Sequence, residues 1–268
     1  MQSPDGTEYD ILGPEGAPTI ALIHGLGLTR ATWDGHLAAL SDQYRVLNYD
    51  LVGHGESAVP GGEITLRTFS EQLVRLMDHL GIASVAAVGF SLGGMINRRI
   101  AMDHPDRVWA LGILNSPHER GAEGQALVEQ RAKDTSAGGA EATIDATLVR
   151  WFTKAFRQHA PDQVAKVRDG VLANDPENYA KCRWVLANGV VELIRPEPAI
   201  TTPSLVMTCE HDSGSTPAMS HAIASEIAGA QTIIVPDLQH MGLVEQPELF
   251  TGPVLDFLKR TSLEGVST

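Results

Sequence analysis

Cysteine is scarce in this chain of 268 residues: Cys182 and Cys209 are the only two, far apart and in no CxxC pair. That spacing argues against a disulfide framework or a cysteine-rich metal site, so no metal is expected, and it fits a reducing, cytoplasmic compartment. Basic residues are also short, 20 Lys and Arg against 33 Asp and Glu, for a formal net charge of −13. A chain of that sign repels phosphate backbones and shows no basic stripe, so no nucleic-acid partner is expected. No apolar run reaches the ~18 residues a membrane-spanning helix needs. The start, Met1-Gln2-Ser3-Pro4-Asp5-Gly6, lacks the basic and apolar stretches of a signal peptide, and no membrane association is expected. Internal repeats, low-complexity tracts and Pro/Gly/Ser linkers are missing too.

What is there is globular composition, 43% hydrophobic and 20% charged. Short apolar runs at 19–24, 45–49, 84–90, 108–114, 204–209 and 232–235 read as buried strands. Leu66, Phe69, Leu73, Leu76 and Leu80 fall on one face of a helix that Gly81 ends, and further helices are expected at 91–103, 217–228 and 247–260. Buried strands alternating with helices imply an α/β fold with a mainly parallel central sheet covered on both faces. The stretch 116–200 breaks the rhythm, with helical segments at 123–135, 141–157, 162–173 and 176–187 and no strand. It reads as a helical cap, or lid, inserted into a core of 1–115 and 201–268, over the carboxyl edge where open α/β sheets bind ligands. That insertion holds eleven Lys/Arg and twelve Asp/Glu, so nearly all the acidity belongs to the core. Net charge therefore does not exclude an anionic ligand.

Gly89-Phe90-Ser91-Leu92-Gly93 matches G-x-S-x-G. The pentapeptide alone is weak, but here a strand precedes it and a helix follows, the tight turn that lifts a nucleophilic serine out of a sheet. The duller reading is a serine that merely caps the helix. A serine nucleophile needs a base, and the base needs an orienting acid. In such a fold the order is Ser, acid, His, each on a loop beyond a strand's carboxyl end. Asp212, after the strand 204–209, is the acid this order selects, and His240, after 232–235, the base; Glu210 and Asp237 are competing acids. The Leu26 amide, in the turn His24-Gly25-Leu26-Gly27, and the Leu92 amide can converge as an oxyanion hole. His24 reads as a structural hydrogen bonder, and His36, His159 and His221 as solvated helical residues. Phe90, Trp151, Phe152 and Met241 are candidates to line the substrate pocket, although the lid aromatics also serve to fix the lid to the core.

These motifs, together with Asp50-Leu51-Val52-Gly53-His54-Gly55-Glu56-Ser57, make the sequence resemble the α/β-hydrolase fold superfamily along essentially its whole length. The D-x-x-G-x-G-x-S turn is structural in that superfamily, so His54 is given no catalytic role. Within it the segments 99–108 and Gly214-Ser215-Thr216-Pro217 look like the 3-oxoadipate enol-lactonases and neighbouring carboxylesterases. The resemblance implies a serine hydrolase of a small carboxylic ester or lactone, working through an acyl-enzyme without a cofactor; the sequence leaves monomer and homodimer both open. If the substrate carries a carboxylate, as enol-lactones do, Arg131, Arg150 and Arg157 are the lid candidates to meet it; Arg98 and Arg99 read as surface pairs. Serine at the elbow argues against haloalkane dehalogenases and epoxide hydrolases. Met241, where meta-cleavage-product hydrolases usually carry tryptophan, argues against C–C cleavage of dienoic acids. The same motifs would also serve cofactor-free haloperoxidase or perhydrolase chemistry, or a ligand receptor built on this fold.

Overall fold

A computed structural model describes residues 1–59 and 61–264. Seven strands, β1 (Tyr9–Leu12), β2 (Thr19–Ile23), β3 (Arg45–Tyr49), β4 (Val85–Phe90), β5 (Val108–Leu114), β6 (Ser204–Cys209) and β7 (Gln231–Val235), form one sheet in the order β1-β3-β2-β4-β5-β6-β7. Every pairing is parallel except β1 against β3. Strands β2, β4 and β6 are buried at every residue, as their unbroken apolar runs require when both sheet faces are covered.

Helix α1 (Asp34–Ser41) precedes β3, and α2 (Leu66–His79) and α3 (Leu92–Asp103) flank β4. The α2 face is the one the spacing requires: Leu66, Phe69, Leu73 and Leu76 are buried. Thr65 and Thr68 close its first turn reciprocally, and Gly81 at φ +65° ends it. Helix α9 (Pro217–Ser225) links β6 to β7, and α10 (Gly242–Glu245) and α11 (Glu248–Glu264) complete the described chain. No helix among the described residues is long and apolar enough to cross a membrane.

Between β5 and β6 run five α-helices and no strand: α4 (Gly121–Gly138), α5 (Ile144–Trp151), α6 (Lys154–His159), α7 (Pro161–Leu172) and α8 (Pro176–Asn188). The single helix expected over 141–157 is divided. Phe152 turns extended at ψ 140°, and the Thr153 side chain accepts the Phe156 N–H to start α6 afresh. Glu245 holds that break, accepting from the Thr153 N–H at 2.8 Å and from its hydroxyl at 2.6 Å. The excursion is tied down by Asn174 Nδ2 to the Gly27 carbonyl (3.0 Å), Asn178 Nδ2 to the Gly53 carbonyl (2.7 Å) and the Met241 N–H to the Trp151 carbonyl (2.8 Å). Gly27, Gly53 and Met241 follow the carboxyl ends of β2, β3 and β7, so the excursion lies over that edge of the sheet.

Candidate active site

The chain passes from β4 to α3 through one residue, Ser91, held at φ 56° and ψ −110°. Few side chains tolerate positive φ, and the turn survives because its neighbours leave no alternative. A Cβ on Gly89 would stand 2.1 Å from the Gly93 carbonyl oxygen, and one on Gly93 2.1 Å from that of Ile23. Only glycines allow strand, turn and helix to approach so closely. The Ser91 N–H is anchored on the Leu114 carbonyl at 2.8 Å, and its side chain makes no capping bond to α3. Instead Ser91 lines a cavity at the carboxyl edge of the sheet.

His240 lines the same cavity, in the loop after β7. Its Nδ1–H donates to Asp212 Oδ2 at 2.7 Å, leaving Nε2 as the nitrogen available to take a proton. Phe90 and Trp151 pack their rings 4.9 and 5.8 Å from the imidazole. Asp212, in the loop after β6, is fully committed: Oδ1 accepts the Gly214 and Ser215 N–H groups at 2.9 Å each, and Oδ2 also accepts Asn115 Nδ2 at 2.9 Å. Burial alone would raise its carboxyl, but the His240 charge and hydrogen bond, the Asn115 amide and the Ser215 N–H together hold it below the ordinary carboxylate range. Asn115 has no counterpart among the residues that the sequence pattern singles out. Its signal is an asparagine directly after the carboxyl end of a strand, where its φ of 46° suits that side chain.

Gly25 lies against Ser91, since a Cβ there would be 3.3 Å from Ser91 Cβ. Leu26 follows it in the turn, and Leu92 is the first residue of α3, where helix geometry leaves an amide without an internal acceptor. Neither amide has a backbone acceptor among the described residues.

Other expected residues fall in different places. Trp151 and Phe90 line the cavity, but Phe152 is fully buried and stacked on Phe156 at 5.3 Å, and Met241 lines a second, neighbouring cavity. Glu210 and Asp237 are exposed, with Glu210 Oε2 accepting the Asp237 N–H at 3.1 Å. With His211 they bring ligand atoms within 4.8 Å of one another, but at the surface and outside the cavity. His24 uses both ring nitrogens on backbone, Nδ1–H to the Gly25 carbonyl (2.8 Å) and Nε2 from the Leu51 N–H (2.9 Å), and His54 Nδ1–H meets the Val52 carbonyl at 3.1 Å.

Two expectations are corrected. His36 is not solvated but buried, its nitrogens 2.7 Å from Thr251 Oγ1 and 3.0 Å from the Leu243 carbonyl oxygen. Arg98 is not a surface pair. It is 1% exposed and donates to the Gly94 and Pro117 carbonyls and to Ser116 Oγ, bracing the loop that carries Asn115. Arg99 does pair at the surface, with Asp103 and Glu192.

The remaining wall of the cavity is basic. Arg120, Arg131, Arg150 and Arg183 all line it, and Asp212 is its one acid. Arg157 is elsewhere, bonded to the Phe152 carbonyl. Arg120 and Arg183 were not legible because the near-zero charge of 116–200 hides an uneven placement. Of the twelve acids there eleven are exposed and only Glu129 is half-buried, whereas these four arginines are all half-buried.

Residues 18–247 match the family described as alpha/beta hydrolase fold. The chain belongs to that family. Among curated relatives of this hydrolase, 3-oxoadipate enol-lactonase 2 of Acinetobacter baylyi is 29% identical over 253 residues, covering 94% of this chain and 92% of its own. Carboxylesterase YbfK of Bacillus subtilis is 29% identical over 92% of this chain and 82% of its own. Among solved structures, the enol-lactonase from Burkholderia xenovorans superposes with a TM-score of 0.86 at 33% identity, over 94% of this chain and 96% of the other. The likeness thus spans the core and the helices between β5 and β6 alike.

Proposed function

We propose that this hydrolase cleaves a small carboxylic ester or lactone through an acyl-enzyme on Ser91. The observation that carries the reading is the 2.7 Å bond from His240 Nδ1 to Asp212, made in the cavity that Ser91 enters from a strained strand-to-helix turn. Ser91 Oγ attacks the scissile carbonyl and its proton passes to His240 Nε2. The C–O bond then breaks and the alkoxide leaves with that proton; in a lactone the freed hydroxyl stays on the acyl chain. Water next gives a proton to His240 while its oxygen attacks the acyl carbon, and the acid departs as Ser91 recovers its proton. Asp212 keeps the imidazole in the required tautomer and stabilises its charged form. The Leu26 and Leu92 N–H groups receive the negative oxygen of both tetrahedral intermediates. The helices of 116–200 act as the cap, with Trp151 closing the cavity over His240. The enol-lactonase and carboxylesterase relatives support this substrate class, and no step requires a cofactor.

A fluorophosphonate probe tests the nucleophile: it should label the wild type and not Ser91→Ala. Labelling of both, or of neither, sinks the assignment. A panel of lactones, short aryl esters and dienoates tests the substrate. Turnover confined to a dienoate would transfer the same residues to C–C cleavage.

A further inference from the structure

The arginines of the cavity are more numerous than one carboxylate requires. Arg131 on α4, Arg150 on α5 and Arg183 on α8 face the space in front of Ser91 from three different helices. Among the described residues none of these three, nor Arg120, has a carboxylate oxygen within 4.0 Å. Arg183 Nε is buried without an acceptor, and Arg150 reaches only Thr147 Oγ1, at 3.2 Å. Arg120 differs, since the Leu186 and Ala187 carbonyls and Gln125 already occupy its guanidinium. Burial, and next the charges of Arg131 and Arg183, bring the Arg150 guanidinium down to about 10, so these groups repel one another across the cavity. The one acid present, Asp212, has both oxygens taken by His240, Asn115 and two backbone N–H groups, and its charge acts on Arg150 less than those of Arg131 and Arg183 do.

Like charges held together, half-buried and unpaired are destabilising unless a ligand supplies the counter-charge. A single carboxylate would leave two of the three guanidinium groups uncompensated. The cavity is also small, about 100 Å³, which favours a compact ligand. We propose that the substrate is a compact ester or lactone that keeps two free carboxylates, bound by Arg131, Arg150 and Arg183, while a third carbonyl, the esterified one, faces Ser91. This rests on the hydrolase reading above and narrows it to derivatives of small tricarboxylic acids.

The test uses methyl butyrate, monomethyl glutarate and the terminal monomethyl ester of tricarballylic acid, which retain zero, one and two carboxylates. We expect kcat/KM to rise about tenfold or more with each carboxylate, the scale of one charge-assisted hydrogen bond. The gain should sit in KM and shrink in about 0.5 M NaCl, where the Debye length falls to a few ångströms. Arg131→Gln, Arg150→Gln and Arg183→Gln should each cut the tricarballylate-to-butyrate ratio about tenfold. Equal turnover of the three esters, a preference for monomethyl glutarate, or a salt-insensitive ranking overturns the proposal. If no ester is cleaved, the hydrolase reading fails on its own, and calorimetry decides the arginine wall separately. Tricarballylate binding to Ser91→Ala that butyrate does not share, and that Arg150→Gln weakens, would uphold it; no binding would overturn it.

Discussion

Asp212 receives four hydrogen bonds, and they do not contribute alike to the proposed chemistry. The His240 bond holds the proposed base; Asp212→Asn, which removes the charge and can turn a donor toward Nδ1, should lower kcat by about 10⁴, as the equivalent change does in a serine protease. Near-normal turnover in that variant would overturn the assignment of Asp212. The Asn115 bond acts one step back, by aiming the oxygen that His240 uses. Asn115→Ala removes one donor to a charged acceptor, a loss of about 1.5–3 kcal/mol, and two backbone donors remain on the other oxygen. We expect kcat to fall at least tenfold with KM little moved, measured on any ester the wild type cleaves. A rise in KM at constant kcat would instead make Asn115 a wall of the substrate pocket. The pairing of Asp212 with His240 was legible because each follows a strand in the order the proposed chemistry demands. Asn115 was not, because nothing in the sequence says that the strand ending at Leu114 stops beside the one ending at Cys209; that adjacency belongs to the sheet order.

At the scale of elements, the buried parallel strands were readable because a strand covered on both faces leaves an unbroken apolar run. Strand β1 escaped for the opposite reason. It is a four-residue edge strand with one buried residue, Tyr9, and it pairs only with β3. Helix α1 was legible only as a helical stretch around His36, without bounds, because it buries only His36 and Leu40 and so shows no apolar stripe. The break at Phe152 was invisible locally, since the acceptor that holds it is Glu245, ninety-two positions along the chain. The turn between β4 and α3 was readable through its glycines, but its strain was not. Ser91 at φ 56° carries a Cβ where glycine would be at ease, a cost of about 1–3 kcal/mol. Ser91→Gly should therefore unfold a few degrees above Ser91→Ala by calorimetry, because the alanine keeps the strained Cβ and both lose the hydroxyl. A glycine variant that melts at or below the alanine variant would mean that the turn stores no strain.

For the whole molecule, three buried histidines outside the proposed chemistry, whose burial keeps them from protonating, shape how stability responds to acid. His24, His36 and His54 are all buried. Burial brings His24 and His36 down to about 4, and burial with the neighbouring His24 charge brings His54 to about 3. All three are therefore neutral in the fold throughout the range where an unfolded chain begins to protonate its histidines, near 6.5. Between pH 6.5 and about 4 the unfolded state binds more protons, so stability must fall as pH falls. Each fully protonated unfolded histidine contributes about 1.4 kcal/mol per pH unit, and the three together about 4 kcal/mol per unit. Asp212, held below its usual range, contributes in the same direction only lower, as pH approaches the ordinary carboxylate value of 3.8. The net charge of −13 opposes this, because acid relieves its self-repulsion, but that effect is spread over a surface that salt screens. Urea unfolding at high salt should therefore show stability dropping steeply below pH 6.5. His36→Gln decides the cause, since its amide can still donate to the Leu243 carbonyl without titrating. About a third of the slope should vanish in that variant, whereas an unchanged slope, or a flat profile in the wild type, would mean that the buried rings are not what couples this fold to pH.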